Sequence, residues 1–101
     1  MIIILLPAYN EEISFPPLMK KLKHVLEETD ETYRLIICND GSSDNTAKIL
    51  KEYSEKFPLE VIEHPINRGL GESSRDLFER AVELGKEGDI IIRMDCDDTH
   101  E

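Results

Sequence analysis

The segment IIIRMDCDDTHE, residues 90–101, carries an apolar run directly into a cluster of acidic side chains. Ile90–Ile92 have the β-branched side chains that favour a strand packed inside a protein. Three earlier apolar runs each lead in the same way into a polar segment: PAYNEE, NDGSSDNT and HPINRGLG. This repetition decides the fold, because it predicts four strands that each end in a polar loop. The predicted strands cover residues 2–6, 35–38, 59–62 and 89–94.

Helical patterns separate the four runs. The first follows Ser14, a residue type that caps helix N-termini, and has Pro16 and Pro17 in its first turn. The second follows Asp44, and the third begins near Gly71. Each pattern places apolar residues at helical spacing, so that one face can cover a sheet. The residues expected to face the sheet are Leu18, Leu22, Val25 and Leu26 in the first helix, Ala47, Leu50, Tyr53 and Phe57 in the second, and Leu77, Phe78, Ala81 and Val82 in the third.

The resulting βαβαβαβ order determines the expected architecture. None of the four runs alternates cleanly between apolar and polar residues, so each strand is expected to be covered on both faces, as in a parallel sheet. Right-handed crossovers then place helices on both sides of the sheet. The sequence therefore predicts a doubly wound α/β fold with a mainly parallel sheet. At 101 residues, a single domain is expected.

Composition argues against several classes of function. The chain has 12 basic and 22 acidic residues, a formal charge of -10 and no basic stripe, so binding to nucleic acid is not expected. No apolar run approaches the roughly 18 residues of a membrane-spanning helix, and the first residues lack the features of a secretory leader. Cys38 and Cys96 have no CxxC spacing, which favours thiols in a reducing compartment. A soluble, cytoplasmic chain is therefore expected.

In a doubly wound sheet, ligands bind outside the carboxyl ends of the strands, and all four polar segments lie there. Asp40 follows an apolar strand, where its carboxylate can accept N–H groups from a ligand's base, although turn formation and helix capping explain much of its segment. Gly69 and Gly71 open a helix whose N-terminus is suited to a phosphate. Arg68 beside them can face a phosphate or a base edge. The candidate ligand site therefore lies at the strand ends.

Asp95 and Asp97 give the strongest single signal. They are two residues apart in an extended segment, so they share one side and offer oxygen ligands suited to a hard divalent cation. A solvated acidic turn is the alternative interpretation. His100 is either a metal ligand or a surface histidine, while His24 and His64 receive no role.

In order and spacing, PAYNEE, NDGSSDNT, NRGLG and the DxD segment Asp95-Cys96-Asp97 resemble the N-terminal half of family 2 glycosyltransferases of the GT-A fold. The dolichyl-phosphate mannose synthase and polyprenyl-phosphate sugar transferase branch is the most similar, and the resemblance covers nearly the whole chain. It implies a hexosyltransferase-type enzyme that transfers a sugar from a UDP- or GDP-sugar to a lipid-phosphate or glycan acceptor. Residues 1–101 would form one nucleotide-sugar-binding domain, truncated after the DxD motif.

The resemblance also implies a role for individual residues. Asp97, with Asp95, would bind the Mg²⁺ or Mn²⁺ that clamps the donor's diphosphate. The acceptor site and the catalytic base would lie beyond residue 101, so the fragment alone is expected to be inactive. Full-length relatives often work at the cytoplasmic face of a membrane. Together with Arg68, the residues expected to bind the nucleotide sugar are Pro7, Tyr9 near the base, Glu11 near the ribose, Asp40 at the base, and Asp95 near the ribose and sugar.

Two structural expectations follow from the resemblance. In the family's strand order, 3-2-1-4, Ile90–Ile92 would lie on an open edge of this chain's sheet, which predicts self-association. The third helix carries Ser73 and Leu77 where small Ala and Gly are usual. This departure from the family pattern argues against close packing of the helix on the sheet.

Two other classes of function compete with the transferase interpretation. A non-catalytic module would bind nucleotide or metal through the same residues and turn nothing over. A receiver-like phospho-acceptor domain would need an acidic pair after the first strand and a lysine late in the chain, and the sequence supplies neither cleanly.

Overall fold

The computed structural model describes residues 1–95, in which strands and helices alternate in the predicted βαβαβαβ order. The doubly wound α/β fold class is confirmed. β1, β2 and β3 extend further toward their polar loops than the apolar runs alone indicated, whereas β4 is shorter than the predicted 89–94. The elements are β1 (Ile2–Ala8), α1 (Phe15–Glu27), β2 (Tyr33–Asp40), α2 (Thr46–Ser54), β3 (Leu59–His64), α3 (Leu70–Leu84) and β4 (Ile90–Arg93).

All four strands lie in one parallel sheet with the order β3-β2-β1-β4. The register aligns Ile2 with Tyr33 on one side and with Ile90 on the other. The chain reverses its winding direction between β1 and β4, the position where open α/β sheets bind their ligands. The expected 3-2-1-4 order is therefore present, and β4 forms one edge of the sheet.

β1 and β2 are buried on both faces, as the unalternating apolar runs predicted. The same expectation is wrong for β4, whose four residues are all exposed, because it lies at the edge of the sheet. Ile4, Leu6 and Ala8 of β1 pack into a cluster with α1 and α2. Ile3 and Leu5, between them in sequence, pack into a second cluster with α3. Because successive strand residues point to opposite faces, one apolar run supplies both cores.

The helices begin close to the predicted signals, with two corrections. Ser14 is the N-cap of α1 as predicted, although its side chain makes no capping hydrogen bond. Asn45, and not Asp44, is the N-cap of α2, but Asp44 still accepts the Thr46 N–H at 2.9 Å. α3 begins directly after Gly69, earlier than Gly71. An amide N–H freed at a helix start needs a nearby acceptor, and Asp44 provides one from outside the helix.

Some residues expected to face the sheet do not. Val25, Phe78 and Val82 are exposed, and so is Ala47. Phe57 lies beyond the end of α2, but it is partly buried and packs against the core on that face of the sheet, as expected. The helices bury a narrower stripe than the full set of apolar positions, because the sheet covers only one side of each helix.

α3 packs closely against the sheet despite its departure from the family pattern. Ser73, Leu77 and Ala81 are all buried, each at 1% exposure or less. They are spaced four residues apart and so form one stripe along the helix. Within residues 1–95, none of the helices is long and apolar enough to cross a bilayer.

Candidate functional site

A cleft of about 380 Å³ opens at the carboxyl ends of the strands. Residues from the ends of β1 and β2, from the start of α3 and from the segment after β4 form its wall. The polar loops thus converge on one edge of the sheet, as the strand pattern predicted. Among the residues that line the cleft are Pro7, Tyr9, Glu11, Asp40 and Asp95.

The loop after β1 is held by the loop after β2. Asn10 has a left-handed backbone with φ of 53°, a conformation that asparagine tolerates better than most residues. Its N–H donates to the Ser42 hydroxyl at 3.0 Å, and its side-chain oxygen accepts the Ser43 N–H at 2.8 Å. The Glu11 N–H donates to the Thr46 hydroxyl at 2.8 Å. These bonds fix the loop at Asn10 and Glu11, between the cleft residues that it carries.

Gly41 lets the loop after β2 approach the loop after β3. Its φ is 69°, and a Cβ at this position would lie 2.2 Å from the backbone nitrogen of Asn67. Such a contact is impossible for a side chain. The bend that begins at Gly41, directly after β2, therefore requires glycine for its close packing as well as for its backbone conformation.

Asp40 is almost completely buried, at 4% exposure, in the wall of the cleft. Its Oδ1 accepts the Arg68 N–H at 2.8 Å and its Oδ2 accepts the Gly69 N–H at 2.9 Å. The Asn67 side-chain amide donates to Oδ2 at 3.1 Å. Desolvation by burial opposes the charge of the carboxylate. Hydrogen bonds from His64 and from the backbone N–H groups of Arg68 and Gly69 outweigh it and lower the pKa of Asp40. The carboxylate is therefore a fixed anion that holds the turn leading into α3.

Two residues behind Asp40 were not singled out by the sequence. His64 Nδ1 lies 2.9 Å from Asp40 Oδ1, and His64 Nε2 lies 2.6 Å from Asp76 Oδ2. His64 ends β3, so the rule that strand ends converge could have placed it beside Asp40. Asp76 lies inside α3, and its inward orientation depends on the rotation of that helix, which the sequence left ambiguous.

Arg68 lies beside the cleft with an exposed side chain, and its backbone N–H makes the contact with Asp40. The N-terminus of α3 borders the cleft through Gly69 and Leu70. Apart from the adjacent residues and the backbone of α3 itself, no heavy atom of the described chain lies within 4 Å of a Cβ placed at Gly69 or Gly71. Space for a ligand is therefore open at the start of this helix.

The predicted metal ligands are only partly described. Asp95 borders the cleft with a carboxylate that is 58% exposed and lies 3.8 Å from Arg93 Nη1. Asp97 falls outside the described residues, as do Cys96 and His100. Residues 1–95 contain no group of three or more His, Cys, Asp and Glu side chains placed to hold a metal ion. An exposed carboxylate oxygen suits a hard divalent cation, so Asp95 can supply one ligand of such a site.

The sequence matches the model of one protein family over residues 3–101, described as "Glycosyl transferase family 2". The chain belongs to this family. A curated family relative is the undecaprenyl-phosphate 4-deoxy-4-formamido-L-arabinose transferase of Proteus mirabilis, which is 35% identical over 96 residues. The match covers 93% of this chain and 28% of that protein. The resemblance read from the motifs is thereby confirmed.

Solved structures show the same GT-A fold. S. aureus TarS (1–349) in complex with UDP-GlcNAc has a TM-score of 0.74 at 23% identity, over 95% of this chain and 26% of that one. The mannosyltransferase PcManGT of Pyrobaculum calidifontis, in complex with GDP-Man and Mn²⁺, has a TM-score of 0.65 at 22% identity, over 95% and 27% of the two chains. The family 2 chain described here thus spans less than a third of these related proteins.

Proposed function

We propose that the cleft binds the nucleoside diphosphate of a UDP- or GDP-sugar, and that residues 1–101 form the donor-binding domain of a family 2 hexosyltransferase. One observation carries the proposal. Pro7, Tyr9, Glu11, Asp40 and Asp95, chosen from motifs spread over the sequence, line a single cleft at the carboxyl ends of the strands.

Each residue has a role that its position supports. The exposed ring of Tyr9 offers a surface on which the base packs. Glu11 would accept a hydrogen bond from the ribose. Asp40 would contact the base from the wall of the cleft, where its carboxylate also holds residues 67–69 through hydrogen bonds. Arg68, exposed at the rim, would face the phosphate or the edge of the base.

Mg²⁺ or Mn²⁺ would be held by Asp95 and Asp97 together with oxygens of the donor's diphosphate. A bound divalent cation stabilises the negative charge that develops on the leaving nucleoside diphosphate. The start of α3, with the open space at Gly69 and Gly71, would receive a phosphate oxygen through its free amide N–H groups. These two sources of positive potential oppose the strongly acidic balance of the chain.

The acceptor would be a lipid phosphate or a glycan. The curated relative is named for undecaprenyl phosphate. This favours a lipid-phosphate acceptor and a location of the enzyme at the cytoplasmic face of a membrane. Residues 1–101 alone would transfer no sugar efficiently, because the catalytic base is expected outside them.

Calorimetric titration tests the donor site. UDP and GDP are titrated into the chain with and without Mn²⁺, and the titrations are repeated with Asp97→Ala. Asp30→Ala is the matched control. It removes the same charge from an exposed turn before β2, at the amino ends of the strands and away from the cleft. We expect one nucleotide to bind in a metal-dependent way, and we expect Asp97→Ala to abolish this binding while Asp30→Ala leaves it unchanged.

The outcomes separate the possibilities. Metal-dependent binding that Asp97→Ala abolishes would support the donor site and identify the base. Equal loss in both variants would indicate a general charge effect and count against a specific metal site. A folded chain that binds neither nucleotide would contradict the proposal for residues 1–101.

A further inference from the structure

A buried histidine joins two carboxylates directly behind the cleft. His64, at the end of β3, is 6% exposed. Its Nδ1 lies 2.9 Å from Asp40 Oδ1 on β2, and its Nε2 lies 2.6 Å from Asp76 Oδ2 on α3. One side chain therefore connects two strands of the sheet with the helix that covers them.

The geometry matches a doubly protonated ring. A neutral imidazole has one N–H and one bare nitrogen, so it can donate to one carboxylate only. In His64 both nitrogens are within hydrogen-bonding distance of a carboxylate oxygen. Removal of one proton would leave a lone pair facing an anionic oxygen at less than 3 Å, an arrangement that must open. The Asp40–His64–Asp76 triad is therefore stable only with His64 as the imidazolium.

The titratable groups that face the ring from the packed elements are the two carboxylates and the thiol of Cys38, whose sulfur lies 3.7 Å from both ring nitrogens. The hydrogen bond to Asp40, and next that to Asp76, raise the pKa of His64. Burial raises the pKa of the Cys38 thiol, which keeps it neutral. The charge of His64 is thus retained to a higher pH than that of an ordinary histidine, and the triad has a net negative charge of one while His64 is protonated.

Asp40 transmits the state of His64 to the cleft. The oxygen that faces His64 also accepts the Arg68 N–H, and the other oxygen accepts the Gly69 N–H and the Asn67 amide. All four acceptor positions of this carboxylate are thus occupied within the chain. Asn67 and Gly69 line the cleft, so a movement of Asp40 displaces its wall.

We propose that His64 is a positioning residue: when doubly protonated, it donates one N–H to Asp40 and the other to Asp76, which holds the turn at residues 67–69 in place and makes donor binding depend on pH. The class of ligand, a nucleoside diphosphate sugar, rests on the proposed function. The direction follows from the raised pKa of His64. The triad is complete below the ordinary histidine value of 6.5 and is lost as the pH rises through the value in the folded chain.

UDP-GlcNAc and GDP-mannose are suitable probes, because the diphosphates of these sugars carry no group that titrates in the tested interval. Their affinity is measured with Mg²⁺ between about pH 5.5 and 8.5, the range in which histidine is the side chain that normally titrates. In the same samples, NMR follows the His64 ring and the amide protection factors of Arg68 and Gly69. Asp76→Asn is compared with Glu79→Gln, which removes the same charge from an exposed position of α3.

We expect the affinity of the bound donor to fall about threefold or more, roughly 0.7 kcal/mol, as the pH crosses the His64 midpoint. Asp76→Asn removes one of the two anions, so it should move the midpoint and the fall in affinity together to lower pH, while Glu79→Gln leaves both unchanged. An affinity that stays flat through the His64 titration overturns the proposal, and so does a profile of Asp76→Asn that coincides with the wild-type one.

Failure of the donor site would be recognised separately. If neither sugar nucleotide binds at any pH, the proposed function fails for this chain. The protection factors of Arg68 and Gly69 still decide the positioning role, because both amides donate to Asp40 without any ligand. They should drop above the His64 midpoint, and protection factors that do not change there overturn the role of His64.

Discussion

At the scale of single residues, Gly41 is where the contact between two cleft loops depends on the absence of a side chain. A Cβ there would lie 2.2 Å from the backbone nitrogen of Asn67 and 2.4 Å from the carbonyl carbon of Ile66. Backbone atoms cannot rotate away as the end of a side chain can. We expect Gly41→Ala to lower the free energy of unfolding by about 1–3 kcal/mol, measured by chemical denaturation.

Gly71 is the matched control for this substitution. It lies in the first turn of α3, with no heavy atom of residues 1–95 within 4 Å of the position of an added Cβ. Alanine favours a helix over glycine, so Gly71→Ala should raise the free energy of unfolding by about 0.5–1 kcal/mol. If both alanine variants prove equally stable, the two loops do not approach as closely as described.

The sequence identified the residues whose position depends on strand ends alone. Pro7, Asp40 and Asp95 follow apolar runs, and parallel strands bring such positions to one edge whatever the details of packing. His64 shares that property, but its neighbours in the sequence indicate no partner for it and therefore no role. Asp76 could not have been found, since its contact with His64 depends on how α3 is rotated against the sheet. Asp97 stays a prediction, because it lies outside the described residues.

At the scale of elements, the rotation of α3 was ambiguous for a physical reason. Leu77 and Ala81 form one apolar pair at i,i+4 spacing, and Phe78 and Val82 form a second pair next to it. Both pairs satisfy the helical pattern, but the sheet covers only one of them fully. Leu77 and Ala81 are buried against the sheet, and Phe78 and Val82 are largely exposed.

This rotation predicts unequal effects of two truncations. Leu77 is fully buried, and Val82 is 75% exposed. Leu77→Ala should lower the free energy of unfolding by about 2–4 kcal/mol, since it leaves a cavity beneath the helix. Val82→Ala should change it by less than about 0.5 kcal/mol. Urea denaturation of both variants measures the difference, and equal losses would place the buried stripe of α3 elsewhere.

At the scale of the whole molecule, the two edges of the sheet differ in chemistry. β3 carries Glu60 and Glu63, and Arg80 of α3 pairs with Glu60 across the sheet face. Charged side chains on an edge strand discourage pairing with another chain. β4 presents Ile90–Ile92, which are between 41% and 55% exposed. The apolar composition of β4 and its edge position were both expected from the sequence, and together they make β4 the edge available for association.

Self-association through β4 is therefore the expected behaviour of this chain. The Ile90 N–H donates to the carbonyl of Met1, and the Met94 N–H donates to the carbonyl of Leu5 in β1. Because alternate residues of a strand pair with the same neighbour, the N–H groups of Ile91 and Arg93 point away from the sheet. A second copy related by a two-fold axis could pair its own β4 antiparallel to this row. Ile91→Lys should weaken the association, because it places a positive charge on each of the two paired β4 strands.

Sedimentation velocity over a wide range of protein concentration measures this effect. Ile13→Lys provides the control, since Ile13 is 84% exposed and lies in the loop after β1, away from the open edge. We expect the wild type and Ile13→Lys to shift toward a dimer as concentration rises, and Ile91→Lys to remain monomeric at the same concentrations. A wild type that stays monomeric throughout would show that the exposed isoleucines do not drive pairing. Equal loss of the dimer in both lysine variants would point to general charge or solubility effects and away from the edge of β4.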